Sequence, residues 1–433
     1  MSQALSMIVA LVIFVGTYFL IITEWINKML AALIGGFLLV LVGILTQDIA
    51  FKAVDWNVIF FLIGMMLVIS ILKRTGIFMY IAIKTAKIAR GKPLYIMMMM
   101  FVITAVASAF LGSVTSIMIL VPIVMLICQE LKISSIPFII SMVVASNMGG
   151  AATMIGDPPN IILGSKTGFT FLDFIFNLTP AIIIATLGSL ALIWLMYRNK
   201  LKVTVENRAK LLSYREEGLI KSKRLLVISA ITLLVMLTLL ALDSVLHIGS
   251  ATISMSAGLF LILITEVSRK HKQAEHILIN EVDWVTLFFF IGLFIIVESL
   301  VETGIIAKLA TQVLAITNNQ AKPTSMAILW LSGILSAFVD NVPFVATMIP
   351  MIKQIGLVIT NTNMIDPIWW SLSLGTCLGG NGTLIGASSN VVAVGIAKHN
   401  DVHISFWEFT KVSALHTVLS LLICTAYILI RYF

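Results

Sequence analysis

Residues Ser336–Phe344 read SAFVDNVPF, which sets an aspartate and an asparagine (Asp340, Asn341) in an apolar run extending from Met326 to Ile352. A charge deep in a bilayer is expensive, so an intramembrane carboxylate marks a functional site by default. The composition says that the surroundings are lipid. The chain is 60% hydrophobic and 11% charged, with a mean hydropathy of +1.08, whereas a soluble domain carries roughly 25% charged residues. Apolar runs of about 18 residues or more recur along the chain, the mark of a helical membrane protein. A soluble enzyme is excluded.

The sequence is written twice. VDWNVIFFLIGMMLVISILKRTGI (from Val54) returns as VDWVTLFFFIGLFIIVESLVETGI (from Val282). SAFLGSVTSIMILVPIV (from Ser108) returns as SAFVDNVPFVATMIPMI (from Ser336), and GGAATMIGDPPN (from Gly149) as GGNGTLIGASSN (from Gly379). The offsets are 228, 228 and 230 positions (282−54, 336−108, 379−149). The first VDW block is followed by Lys73, Arg74, Lys84, Lys87, Arg90 and Lys92. The second is followed only by Lys308 and Lys322, and gains Glu302. Equivalent segments of opposite charge bias face opposite sides of a membrane, which predicts an all-α polytopic protein built as an inverted repeat.

The expected organisation is a first repeat over 1–197, a cytoplasmic basic linker over 198–224 holding nine of the 28 Lys and Arg residues, and a second repeat over 225–433. Five spans per half are expected, near 4–23, 27–45, 57–72, 136–168 and 179–197, then 224–242, 248–266, 282–300, 366–396 and 412–431. Both termini then lie outside, in the cytoplasmic (inner) cell membrane. The first run lacks a preceding basic residue and a cleavage site, so it reads as a retained helix. The net charge of +8 reflects positive-inside loops, not nucleic-acid binding.

Two segments do not fit as simple spans. Pro93–Glu130 is apolar but bracketed by Lys92 and Lys132, and centres on LGSVTS; its counterpart, about 322–361, centres on VDNVPF. Each reads as a re-entrant hairpin with a polar tip near mid-membrane, a place where irregular backbone survives only when buried in protein or lining a cavity.

SNMGGAATMIGDPPN (Ser146–Asn160) cannot be an uninterrupted helix, because Gly149, Gly150 and Gly156 weaken it and Pro158 and Pro159 remove donors. A broken helix offers carbonyls on one side and N–H groups on the other for ions and solutes. Substrate or ion binding is therefore expected at Ser113, Thr115, Asn147, Gly149, Gly150, Thr153, Gly156, Asp157 and Asn160. In the second half it is expected at Asp340, Asn341, Gly379, Gly380, Asn381, Thr383, Gly386 and Asn390. The halves are chemically unequal: Gly112-Ser113 stands where Asp340-Asn341 stands, and Ser70 where Glu298 stands. Asp340 and Glu298 are the candidate coupling acids. Asp340 could instead cap the half-helix that follows it. Asp55 and Asp283 read as N-caps beside interfacial tryptophans.

Other features carry little. Cys128, Cys377 and Cys424 form no CxxC pair, so neither a disulfide framework nor a metal site is expected. Met97–Met100 reads as packing, and His399 and His403 as loop residues. No phosphate-binding loop is present, so the chain does not itself hydrolyse ATP.

At SNMGGAATMIGDPPNIILGS and SAFVDNVPFVATMIPMI the chain resembles the ion transporter superfamily, with its citrate-transporter-like domain. It is most similar to the branch of arsenite efflux permeases, sodium/proton antiporters and the melanosomal P protein. The resemblance implies inverted halves, each with one hairpin and one broken helix around a solute and ion site. It maps the tips onto Ser113–Thr115 and Asp340-Asn341, and the helix breaks onto Gly149–Asn160 and Gly379–Asn390. One departure is that relatives commonly carry Asp-Asn at both tips, whereas the first tip here reads GSVT.

The expectation is a secondary active transporter of a small anionic or neutral oxyacid solute, nearest to arsenite-type efflux, without a cofactor and coupled to H⁺ or Na⁺. Carboxylate uptake of the citrate type is the alternative; no Arg or Lys is visible in the motif cores to hold a polyanion. A channel-like subunit driven by a separate ATPase is the other alternative. Membrane lipid, a homodimer and that ATPase are the partners considered.

Overall fold

The computed structural model describes residues 3–23, 25–213, 218–268, 273–359 and 361–433. Among them the chain is helical throughout, without a strand. The first half supplies α1 (Gln3–Thr23), α2 (Lys28–Leu41), α3 (Gln47–Ala53), α4 (Trp56–Arg74), α5 (Ile77–Ile88), α6 (Pro93–Leu111), α7 (Ser113–Leu131), α8 (Ile136–Ala151), α9 (Pro158–Thr167) and α10 (Phe171–Tyr197). A short α11 (Val205–Leu212) lies in the linker. The second half supplies α12 (Lys223–Ala241), α13 (Asp243–Leu246), α14 (Ser250–Ser268), α15 (Gln273–Asn280), α16 (Trp284–Glu302), α17 (Ile305–Ile316), α18 (Ala321–Leu335), α19 (Asn341–Gly356), α20 (Thr362–Gly379), α21 (Ser388–His399) and α22 (Phe406–Tyr432). Setting α11 and α13 aside, ten helices of one half match ten of the other in order. Among the described residues, nine helices are long and apolar enough to cross a membrane. The protein is a multi-pass integral membrane protein.

Local chemistry fixes the boundaries in both copies. Asp55 accepts the Val58 N–H (3.3 Å) at the start of α4, and Asp283 accepts the Thr286 N–H (3.1 Å) at the start of α16, so both aspartates are the expected N-caps. Gly76 and Gly304, at φ +84° and +78°, turn the chain from those helices into α5 and α17.

The halves are interlocked. Helix α4 packs on α14 of the other half, and α16 packs on α2. These crossings are close because small residues face backbone: a side chain at Gly64 would strike Ser254 and Met255, and one at Gly292 would strike Ala32 and Leu33. Within each half, the helix entering the hairpin packs on the broken helix, α6 on α8 and α18 on α20. The exit helices cross over, α7 against α21 and α19 against α9.

The linker marks one side of the molecule: Lys221 N donates to Thr75 O (2.9 Å), just beyond the end of α4. Arg74 on that side pairs with Glu281 (3.2 Å), just before α16. Helix α4 thus ends where α16 begins. Hairpin α6–α7 follows from the linker side, and hairpin α18–α19 enters from the far side.

Candidate functional site

Each hairpin turns at its expected tip. In the first, the turn is Gly112 alone, at φ +86°, a conformation that suits glycine. In the second, Ser336–Asp340 connect the helices, and Asp340 caps α19 by accepting the Val342 N–H (3.2 Å). The tips meet from opposite sides on one carboxylate. Ser113 Oγ donates to Asp157 Oδ1 (2.8 Å), and Asn341 Nδ2 donates to Asp157 Oδ2 (2.9 Å). Two hairpins entering from opposite faces and meeting at one residue are both re-entrant.

Asp157 lies in the break between α8 and α9, at 2% exposure. Among the described residues no Lys, Arg or His forms an ion pair with it. A carboxylate buried among neutral donors needs a proton or a cation to be tolerated. Its equivalent in the second half is Ala387. The acids therefore come from opposite halves: Asp157 from the first helix break, Asp340 from the second tip.

The breaks are held open by the protein's own side chains. Asn160 Nδ2 donates to Ala151 O (3.3 Å) and Thr153 O (2.9 Å). Asn390 Nδ2 donates to Gly380 O and Thr383 O (2.8 Å each). Thr153 and Thr383 donate to the hairpin carbonyls of Ala109 and Ala337. These freed carbonyls, expected from the sequence to be open to ions, are bonded internally. The glycines also face protein. A side chain at Gly149 would meet the Ala105 backbone, and one at Gly379 the Gly333 backbone. A Cβ at Gly150 would lie 2.7 Å from Gly156 O, and one at Gly380 3.1 Å from Gly386 O. Gly156 and Gly386 themselves approach Ser108 O and Ser336 O. These six glycines permit close packing of the break on the hairpin.

A second network joins the halves. Asn147 Nδ2 donates to Asn381 Oδ1 (2.8 Å) and Asn390 Oδ1 (2.9 Å), and Ser389 Oγ donates to Asn147 Oδ1 (2.6 Å). Across the pseudo-axis, Ser373 Oγ donates to Asn160 Oδ1 (2.6 Å), with Cys377 Sγ at 3.7 Å.

A cavity of about 730 Å³ runs from the linker side to this centre. It is bounded by Lys73, Glu281 and Asp283 toward the linker side, and by Ser113, Thr115, Asp157, Asn341 and Ser388 at the tips. Glu298 does not line it. One lining residue, Lys28, was missed from the sequence. Its ammonium donates to Ser388 Oγ (2.7 Å), lies 3.7 Å from Asp340 Oδ2 and sits 5.3 Å from the Phe289 ring centre. A lone lysine opening a span reads as an interfacial charge; only the fold brings it beside residues more than 300 positions away.

A family model described as Citrate transporter matches residues 18–375. The chain is 38% identical over 429 residues to the 46 kDa membrane protein of Mycobacterium leprae, covering 98% of this chain and 99% of that one. It is also 38% identical to an uncharacterized transporter of Mycobacterium tuberculosis, with the same coverage. Similarity to the human P protein is 28%, over 98% of this chain and 60% of that protein. Among solved structures, the YdaH transporter of Alcanivorax borkumensis is similar in fold, with a TM-score of 0.55 and 14% identity over 85% of this chain and 84% of that one.

Proposed function

The chain belongs to the citrate transporter family and is a membrane transporter, and we propose that it is a secondary active carrier of a small anionic solute, coupled to H⁺ or Na⁺. One observation carries the reading: a single cavity reaches from one side to a buried carboxylate on which hairpin tips from both sides converge. A carrier needs a central site that can be exposed to each side in turn, and a residue whose occupancy by a proton or cation is linked to that of the solute. Asp157 has the burial and the place for this coupling role. Asp340 is engaged as a helix cap and as the acceptor of Ser388 (2.7 Å), so its coupling role is the weaker of the two proposals. With the basic linker placed in the cytoplasm by the positive-inside rule, the cavity opens inward and the protein resides in the cytoplasmic membrane.

The test is flux in sealed proteoliposomes without ATP, under imposed pH or Na⁺ gradients, with citrate, succinate, phosphate and arsenite as solutes. Accumulation that follows a gradient supports the carrier. Passive flux that ignores every gradient would make the protein a pore.

A further inference from the structure

We propose that a groove between α6 and α10 seats one anionic phospholipid from the linker-side leaflet, with an acyl chain in the groove and the phosphate held by Lys92 and Arg198.

The groove is a recess of about 370 Å³, walled by Tyr95, Met98, Met99, Val102 and Ile103 of α6 and by Leu190 of α10. Apart from the Tyr95 hydroxyl, these side chains are apolar. From Tyr95 to Ile103 the recess follows α6 for about 12 Å. The run Met97–Met100 divides here: Met97 and Met100 are buried, whereas Met98 and Met99 wall the groove. Methionine side chains conform to irregular apolar partners. Deeper along the same two helices, Val106 and Leu187 are exposed, so the recess opens toward hydrocarbon.

The other half shows what fills this place when the protein fills it itself. Val102 corresponds to Trp330 (330−102 = 228, the hairpin offset), and Leu190 to Thr425 (425−190 = 235, the offset that aligns α10 with α22). Trp330 Nε1 donates to Thr425 Oγ1 (3.1 Å), so an indole ties α18 to α22. In the first half an isopropyl group stands in place of the indole and a leucine in place of its acceptor. The space is left open as the groove, and the tie between hairpin arm and neighbour is missing. A bound lipid supplies both.

The linker-side end of the groove carries charge. Lys92 Nζ lies 5.5 Å from the ring centre of Tyr95, itself a groove wall. The Arg198 guanidinium lies 4.6 Å from the ring centre of Trp194, one turn beyond Leu190 on α10. Among the described residues neither cation forms an ion pair. The positive-inside rule accounts for the sign of these charges, but not for an apolar recess directly below them. Cations at the interface over an apolar recess match the two ends of an anionic phospholipid. At the matching positions of the second half stand Gln320, Pro323, Leu429 and Phe433, so the filled place there also lacks this pair of cations.

The test uses the full chain in mild detergent and reads lipid retention by native mass spectrometry, with phosphatidylglycerol or phosphatidylcholine added. The wild type should retain one phosphatidylglycerol per chain, more tightly than phosphatidylcholine. Lys92→Gln with Arg198→Gln should weaken phosphatidylglycerol by about tenfold or more, as loss of two cations beside an anionic headgroup implies, and leave phosphatidylcholine unchanged. Val102→Trp with Leu190→Thr copies the second half and should abolish the retained phosphatidylglycerol. A further measurement does not depend on the folding of that variant. In Val102→Cys, phosphatidylglycerol should slow reaction with a maleimide several-fold, and inorganic phosphate should not. Equal retention of the two lipids by the wild type, or undiminished phosphatidylglycerol in either double variant, overturns the proposal. So does a Val102→Cys thiol that phosphatidylglycerol fails to protect, or that phosphate protects as well.

Discussion

On the far side of the molecule, Asp55 is buried and accepts from Ser165 Oγ (2.8 Å), with Lys166 Nζ at 3.1 Å. This ties the start of α4 to the end of α9. At the matching place on the linker side, Asp283 is exposed, and Gly395 and Ile396 stand where Ser165 and Lys166 stand. The same backbone unit is latched at one end and unlatched at the other, and the cavity opens at the unlatched end. Backbone repetition supplies two equivalent ends; side-chain divergence ties one and leaves the other untied. The centre follows the same logic. Both helix breaks share their asparagine and threonine clamps, but only the first carries a carboxylate, Asp157 against Ala387.

The largest expected effect breaks the central asymmetry. Asp157→Asn keeps shape and hydrogen-bonding capacity but cannot exchange a proton or balance a cation. It should abolish gradient-driven accumulation while solute exchange across the membrane persists. Full concentrative transport in this variant would return the coupling role to Asp340 or Glu298.

A second experiment tests the equivalence of the clamps. Asn160→Ala leaves two buried carbonyls unbonded, whereas Asn390→Ala leaves only Gly380 O so, because Thr383 O keeps the Gly386 N–H (3.3 Å), at about 1–3 kcal/mol per group. Both variants should show lowered thermal midpoints in detergent, Asn160→Ala by the larger amount. A large loss in one and none in the other would mean that the two breaks are not held alike.

The smallest expected effect concerns the far latch, because Lys166 is one-third exposed and solvent weakens its pairing. A cysteine at Thr115 should react with an impermeant reagent added from the side that also labels cysteines near Lys84, and not from the side that labels cysteines near Lys308. Adding Lys166→Met should make Thr115→Cys partly reactive from the far side as well. If the pattern is unchanged, the ion pair is not what closes that end.

Much of this was legible because membrane folds write their constraints plainly. The duplicated VDW blocks gave the paired α4 and α16, and the tip motifs gave the hairpins. The Gly/Pro clusters gave the breaks between α8 and α9 and between α20 and α21. Lys28 and the latch were not legible. Lys28 and Ser388 are 360 positions apart, and neither Ser165 nor Lys166 belongs to a repeated motif. Asp340 caps α19 through the Val342 N–H, as the sequence allowed, but it also has two neighbours that a linear reading cannot supply: Ser388 and Lys28.

By itself the sequence determined the lipid environment, the inverted repeat and the positions of the irregular backbone. Hydrophobic length, charge bias and the conformational limits of glycine and proline are local properties, readable along the chain. Which polar groups meet was decided only by the tertiary structure. The halves interlock, so the second hairpin tip and both helix breaks find partners in the other half, and a side chain's role there depends on what surrounds it. Asp157 differs from Asp340 by this alone: one is a carboxylate held by two neutral donors at the meeting of both tips, the other a helix cap with an ammonium nearby.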